Sequence, residues 1–325
     1  MESERPDKRQ RTEEVEYPAQ CSDIWFDDGN VILQAENIQF RVHRGLLARH
    51  SSVFKDMFSM PQATASTEES HAPGGPPIVY LSDAASDVQY ALAKLFNLAD
   101  PEDEKKAPTI SQLVSALRIG HKYLIPRLWN DSVSRLRCAF PSNQVAFREC
   151  LYKRDDITRD NTATAIRVLP SETLLELVDT VAEVGLQTVL PPLYYRILLR
   201  ESLNTLIDNP YPRDNRARAY LLGGRAELLC SLSHSVAQWL KLNAHGVVCT
   251  TPAECRKAGY VAYADIANIR FPIGPWINGL QTGMCAHCNE QLQSTLSVVE
   301  GMSWVDLPRV FRLPAWKDLK DFDIS

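Results

Sequence analysis

Apolar residues are spaced first as in β-strands and then as in α-helices along the first part of the chain. Residues 1–20 contain almost no apolar side chains, so burial cannot offset the entropy cost of ordering them, and a disordered tail is predicted. From residue 21 short apolar runs follow one another, and the Asp28-Gly29-Asn30 turn between the first two predicts a β-hairpin. Helical spacing begins at Leu46, with the serine pair Ser51-Ser52 as the predicted amino-terminal cap of a second short helix.

Loop-forming and capping residues then divide the chain into further elements. Residues 60–77 are rich in Pro, Gly, Ser and Thr and predict a surface loop. Ser86 with Gln89, and Thr109 with Gln112, have the spacing of a capping box and predict two helix starts. The second of these starts opens a predicted helical hairpin.

The middle of the chain is predicted to be helical almost throughout. Across residues 141–245, Pro and Asn fall between the periodic segments, as helix-ending residues should. Gly223-Gly224 lies between helical stretches with no strand before it, and the pair predicts a helix break rather than a phosphate-binding loop. After residue 246 the composition shifts to Cys, Gly, Pro and Trp, which indicates a separate carboxy-terminal piece.

The overall composition is that of an ordinary globular protein and excludes few functions. The chain has 325 residues, a formal net charge of −5 and 45% hydrophobic residues. Collagen, coiled-coil rods and full disorder are excluded, and the length allows about two domains. The pI near 5.9 disfavours a nucleic-acid-binding surface over the whole chain.

Targeting signals are sparse. The amino terminus lacks the apolar segment of a secretory signal, and no stretch has the length that a membrane span needs. We therefore predict an intracellular protein, in the cytoplasm or the nucleus, whose cysteines are mostly reduced. The basic cluster at residues 8–11 has the composition of a nuclear import signal, but the acids around it favour a solvated charge run.

A set of linked motifs follows the polar tail. They are an Asp-initiated strand, a Phe-x-x-His step, a Leu pair and a Ser-x-x-Phe helix with a Met-Phe ending, at Asp23, Phe40, His43, Leu46, Leu47, Ser51, Phe54, Met57 and Phe58. In this order and spacing they resemble the amino-terminal half of a BTB/POZ domain, and the elements up to residue 140 continue the order of that family. Residues 190–194 and 304–316 are similar to segments of the large fungal group of BTB proteins.

The resemblance implies an α+β fold in three parts. A BTB/POZ module, with a small mixed sheet flanked by helices, is followed by a mainly α-helical region and a small Cys-rich carboxy-terminal piece. The predicted divisions are a disordered charged tail at 1–20, the BTB/POZ domain at 21–140, a helical region at 141–245 and a Cys/Trp-rich subdomain at 246–325.

The resemblance also implies that the protein associates with other proteins, as a scaffold or adaptor that self-associates or recruits a cullin-type ubiquitin ligase scaffold. Two features depart from the family. Domain-swapped dimers use an apolar helix ahead of the first strand, whereas this chain offers only Val15 and Tyr17 there. Cullin-binding members resemble one another in an apolar-x-Glu motif, whereas this chain has Met60-Pro61-Gln62. Neither membrane nor nucleic acid is a predicted partner.

The predicted interaction surface of the module consists of Asp23, His43, Met57, Phe58 and Met60. Each has a structural alternative. His43 stands where a strand turns into a helix, so it is also a candidate for a buried structural imidazole, with Asp23 as its ion-pair partner. Met57 and Phe58 have the spacing of core residues of a helix.

Four cysteines near the carboxyl terminus have the pattern of a metal site. Cys249 and Cys255 flank a strong helix start, and Cys285 and Cys288 form a Cys-x-x-Cys knuckle. Together they supply the four thiolates of a structural zinc site, with His287 or His245 as substitute ligands. Two alternatives are reduced, partly buried thiols and a redox role for the knuckle.

No catalytic motif accompanies these features. The chain has no P-loop, no Gly-x-Ser-x-Gly elbow and no His-Glu-x-x-His motif, and we predict that it is not an enzyme. The competing function is a nuclear transcription regulator whose zinc-stabilised module reads DNA. Between Cys249 and Cys288, however, only Arg256, Lys257 and Arg270 are basic, too few for the usual phosphate contacts.

Overall fold

The computed structural model describes residues 19–60, 75–98, 106–152, 166–169, 171–243, 248–268, 271–274 and 282–324. Residues 1–18 of the predicted tail at 1–20 and residues 61–74 of the predicted loop at 60–77 lie outside these residues, as do the basic cluster at 8–11 and His245. The described chain divides into two compact units, one ending at Phe96 and the other beginning at Asn97.

The first unit is a four-stranded mixed sheet with helices. The strands are β1 (Gln20–Trp25), β2 (Val31–Ala35), β3 (Ile38–Val42) and β4 (Ile78–Leu81), and the helices are α1 (Arg44–His50), α2 (Ser52–Ser59) and α3 (Ala85–Leu95). The strand order is β1-β3-β2-β4. The β2–β3 pair is antiparallel, whereas β1 pairs with β3 and β4 with β2 in parallel.

The predicted hairpin between the first two strands is wrong. The chain does turn at Asp27-Asp28, where the Gly29 N–H donates to the Phe26 carbonyl. After the turn, however, β1 lies beside β3, because the Phe26 N–H donates to the Arg41 carbonyl and the Arg41 Nε donates to the Gly29 carbonyl. The hairpin in this sheet joins β2 to β3 instead, through a turn in which Glu36 has φ +51°.

Two predicted helix starts in this unit have opposite outcomes. The Ser51 side chain accepts a hydrogen bond from the Phe54 N–H, so the predicted cap is confirmed and Ser51 is the member of the serine pair that provides it. The predicted capping box at Ser86 is wrong, since α3 has already begun at Ala85. The Ala85 N–H donates to Glu36 Oε2 at 3.1 Å, so a carboxylate from the β2–β3 turn meets the first turn of α3.

The described part of the second unit is helical. Its helices are α4 (Ile110–Lys122), α5 (Pro126–Ala139), α6 (Gln144–Tyr152), α7 (Leu175–Glu183), α8 (Leu190–Arg200), α9 (Leu203–Asp208), α10 (Asn215–Asn243), α11 (Pro252–Asn268) and α12 (Ala286–Val310), with 3₁₀ turns at Gln187–Val189 and Trp316–Asp318. The predicted hairpin is confirmed as α4 and α5. None of the helices in the described ranges is long and apolar enough to cross a membrane.

Two caps fix the start of α4. Thr109 and Gln112 form the predicted capping box, with both side-chain-to-backbone hydrogen bonds present. In addition, Glu172 accepts hydrogen bonds from the backbone N–H groups of Ile110 and Ser111 and from the Ser111 hydroxyl. Burial opposes ionisation of Glu172, but these hydrogen bonds outweigh it and lower the pKa of the carboxyl.

One large core holds most of the second unit together. It extends from Ile110 and Leu113 of α4 through Tyr195 of α8 to Trp304 of α12 and Phe311 beyond it. Phe311 is fully buried and packs edge-to-face on Tyr194, with the ring centroids 5.1 Å apart.

The predicted helix break at Gly223-Gly224 is wrong, because α10 runs through both glycines. Gly224 is buried where α10 meets Phe311, and a Cβ built there would lie 2.5 Å from the ring. A Cβ at the exposed Gly223 would meet nothing within 4 Å. The glycine at 224 thus permits close helix packing.

A smaller core lies where α10, α11 and α12 meet. Its buried members are Leu232, Val236, Trp239, Ala262, Ile266, Leu292, Leu296 and Val299. Partly buried side chains, including Leu240 of α10 and Met284 just before α12, pack against it. This satellite core adjoins the segment that carries the four cysteines.

Candidate metal centre and interaction surface

The four predicted metal ligands come together in the structure. Cys249 lies in the turn before α11 and Cys255 in its first turn, whereas Cys285 is the amino-terminal cap of α12 and Cys288 lies in that helix's first turn. All four sulfur atoms lie within 4.8 Å of one another, and those of Cys249 and Cys285 are 4.0 Å apart. His287 is not part of this group.

The spacing of the sulfur atoms fits a tetrahedral metal. With Zn–S bonds of about 2.3 Å, neighbouring sulfurs of a zinc tetrathiolate stand about 3.8 Å apart. The distance of 4.0 Å between Cys249 and Cys285 is close to that value. A disulfide needs about 2.05 Å, and all four cysteines are free thiols. The group therefore has the chemistry and dimensions of a zinc site.

Backbone amides point at the sulfurs. The Cys285 N–H donates to the Cys255 sulfur at 3.2 Å. The N–H groups of Cys288 and Thr250 donate to the Cys285 sulfur and lower the pKa of its thiol to about 6, which favours the thiolate form that binds a metal. Burial raises the pKa of the Cys288 thiol.

The site is partly enclosed by protein. Cys255 and Cys288 are buried, whereas Cys249 and Cys285 are half-buried. Four protein ligands would complete a tetrahedral shell and leave no position for water, which is the arrangement of structural rather than catalytic zinc.

The apolar part of the predicted interaction surface lies at the carboxy-terminal end of α2. Met60, just after the helix, is 65% exposed, whereas Met57 and Phe58 are half-buried. The Phe58 ring stacks on Phe54 with centroids 5.8 Å apart, and the Arg44 guanidinium lies over the Phe58 ring, 5.1 Å from its centroid. Arg44 also donates to the Phe58 carbonyl. Phe58 is thus held in place, and Met60 is the freely accessible one of the three apolar members.

His43 has a different partner from the one predicted. Its Nε2 lies 3.1 Å from Oδ1 of Asp28, in the turn before β2, rather than beside Asp23. The hydrogen bond from His43 lowers the pKa of the Asp28 carboxyl. The His43 ring also contacts Phe26, with centroids 5.0 Å apart. Asp23 itself is exposed in β1.

A comparison with protein families identifies the module. Residues 26–136 match the sequence model of the BTB/POZ domain family. The chain contains a BTB/POZ domain. The match begins just after β1 and ends within α5, and it includes His43, Met57, Phe58 and Met60 but not Asp23. No curated protein matches the chain.

The BTB/POZ domain is a protein–protein interaction module. Domains of this family bind other proteins or associate with themselves, and they are not enzymes. The resemblance inferred from the motifs is therefore confirmed at the level of the domain, as is the α+β fold with its mixed sheet, flanking helices and following helical region. Membership of the fungal group stays a prediction.

Two charged groups in the structure were missed by the sequence reasoning. Asp28 has the local signature of a turn residue only, and its approach to His43, 15 positions along the chain, has no signal in the neighbouring sequence. Glu300 is 2% exposed, lies 3.4 Å from Arg148, and has a pKa raised by burial. It shares the helical phase of the buried Leu296 and Trp304 on α12, which is the pattern that marks a buried carboxylate.

Proposed function

We propose that the protein is a BTB-type scaffold or adaptor that binds other proteins, a second copy of itself among them, through the BTB/POZ domain. The match of residues 26–136 to that family supports the proposal most directly. No catalytic role is assigned to any residue.

The exposed end of α2 is the contact that we assign to this domain. Met60 has 65% of its surface accessible, and Met57 and Phe58 adjoin it in the chain. An exposed methionine beside anchored aromatic side chains suits an adaptable apolar contact. Asp23 and His43 supply the polar part of the proposed surface.

The test compares two charge substitutions of equal exposure. Met60→Asp places a carboxylate on the proposed surface, and Val145→Asp places one at a residue that is also 65% exposed but lies on α6. Light scattering of the full-length protein across a concentration series should show self-association in the parent and in Val145→Asp, and loss of it in Met60→Asp. A parent chain that is monomeric at every concentration refutes self-association, and an unaffected Met60→Asp variant refutes this surface.

The proposal includes one structural zinc ion held by Cys249, Cys255, Cys285 and Cys288. The distance between sulfurs, the free thiols and the amide hydrogen bonds to sulfur support it. Such an ion stabilises the carboxy-terminal part of the chain and performs no chemistry. One equivalent of zinc in the purified protein, and the visible bands of a cobalt(II) tetrathiolate after exchange, are the expected results. Protein without zinc that also fails to take up cobalt contradicts the site.

A further inference from the structure

Helix α11 buries few apolar side chains for its length. It has 17 residues, and the buried positions among its described side chains are Cys255, Gly259, Ala262 and Ile266. Of these, only Ala262 and Ile266 enter the satellite core. Ordering a helix of this length costs backbone entropy at every residue, and this burial offsets the cost only in part, even with the half-buried Tyr263 packed against the satellite core.

The contact of α11 with α10 is close but narrow. A Cβ built on Gly259 would lie 2.9 Å from Cδ2 of Leu240 and 3.8 Å from Trp239, so the α11 backbone rests directly on α10. The same Cβ would lie 3.8 Å from the sulfur of Met284, the residue before Cys285. Close approach at a glycine adds little buried side-chain area.

Helix α12 is anchored far more strongly. Its 25 residues include ten that are buried, and Trp304, Leu307 and Val310 belong to the large core. Upstream of these, Leu292, Leu296 and Val299 fill the satellite core. This helix therefore has a hydrophobic anchor that does not involve the cysteines.

The cysteine centre connects the weakly held helix to the strongly held one. Cys249 and Cys255 belong to the start of α11, and Cys285 and Cys288 to the start of α12. The hydrogen bond from the Cys285 N–H to the Cys255 sulfur already crosses between the two helix starts. A metal bound to all four sulfurs would add four strong bonds across the same junction.

We infer that zinc holds α11 in place by joining its start to the start of α12. We call this connection the clasp. With zinc bound, α11 stays packed on α10. When zinc is removed, α11 and the turn at residues 282–285 loosen, while the large core keeps α4 to α8 and most of α12 folded. This inference rests on the zinc centre of the proposed function.

Hydrogen exchange with mass spectrometry on the full-length protein tests the inference. Zinc is measured in each sample before and after treatment with a chelator. Amides of α11 should exchange at least about tenfold faster after zinc removal, and those of α4, α7 and α8 should be unchanged. Cys285→Ser and Cys288→Ser should reproduce the effect without chelator, whereas Cys230→Ser, at an exposed cysteine on α10, should not.

The outcomes separate the two proposals. Protein that retains no zinc after purification and reconstitution refutes the metal centre, and the clasp with it. Protein that binds zinc, but whose α11 exchanges at the same rate after zinc removal, refutes the clasp and leaves the metal centre standing. Faster amide exchange throughout the second unit after zinc removal also refutes the clasp, because the metal would then stabilise the whole unit and not α11 in particular. If the serine variants do not fold, the chelated parent protein decides the question.

Discussion

Adjacent glycines in the middle of α10 allow a sharp test of the packing. Gly224→Ala places a methyl group 2.5 Å from one ring carbon of Phe311 and 2.7 Å from the next. Gly223→Ala, one residue earlier, places the same group in open space. Both changes replace glycine by alanine inside one helix, so they differ only in what the new Cβ meets.

The expected effects have opposite signs. Alanine in place of glycine in a helix gains about 1 kcal/mol at either position. At Gly224 the ring cannot move aside, because Phe311 is fully buried and packs on Tyr194. Overpacking of this kind costs about 1–3 kcal/mol, and a separation of 2.5 Å favours the upper end. We expect Gly223→Ala to stabilise by about 1 kcal/mol and Gly224→Ala to destabilise by about 2 kcal/mol net.

Thermal unfolding measures this difference of about 3 kcal/mol directly. For a unit of this size 1 kcal/mol shifts Tm by about 2–4 °C, so the two variants should differ by at least about 6 °C. Urea unfolding with an unchanged slope would show that the free energy of unfolding, and not the compactness of either state, has changed. Two variants with the same sign of effect would refute the close approach of α10 to Phe311.

Two other substitutions test side-chain hydrogen bonds of the second unit. Glu172 has a lowered pKa in the folded protein, so its contribution to stability is present above its unfolded pKa of about 4.3 and is lost as the pH falls through the lower folded value. Glu172→Gln should therefore reduce the acid dependence of urea unfolding between about pH 7 and pH 3, and an unchanged dependence would count against the cap. The Tyr195 hydroxyl donates to the Ile273 carbonyl and accepts from the Ile273 N–H, both at 2.7 Å. Tyr195→Phe should lower the free energy of unfolding by about 1–3 kcal/mol in the same assay. Tyr260→Phe, at an exposed ring, is the control and should change it very little.

Local signals in the sequence predicted the elements whose partners are local. Ser51 and Thr109 cap helices through hydrogen bonds three residues away, and both are found as expected. Ser86 has an equally good local pattern, but the start of α3 is set by Glu36, which is close only in the folded chain. A carboxylate brought by tertiary folding to a helix start has no signature in the neighbouring residues.

The predicted hairpin between the first two strands and the predicted helix break at Gly223-Gly224 were wrong for the same physical reason. In both cases contacts with distant parts of the chain decided the structure. A turn at Asp28-Gly29 specifies a change of direction but not which strand lies alongside, and β1 finds its partner in β3. Gly223-Gly224 weakens a helix by intrinsic preference, yet packing against Phe311 more than offsets that preference. The convergence of the four cysteines was predictable, because thiolate ligation uses few residues at restricted spacings and this pattern is readable without knowledge of the intervening fold.

The direction of two helices gives the cysteine centre an electrostatic property of its own. Helices α11 and α12 both begin at the sulfurs, so both present the positive ends of their macrodipoles to the same point. Four thiolates around one divalent zinc carry two net negative charges, which these helix ends partly neutralise. Sulfur electron density drawn toward the metal and the helix ends is less available to electrophiles. In the zinc-bound protein these cysteines should therefore be the least nucleophilic of the chain, and the exposed Cys21, Cys138 and Cys230 would meet thiol-reactive compounds first.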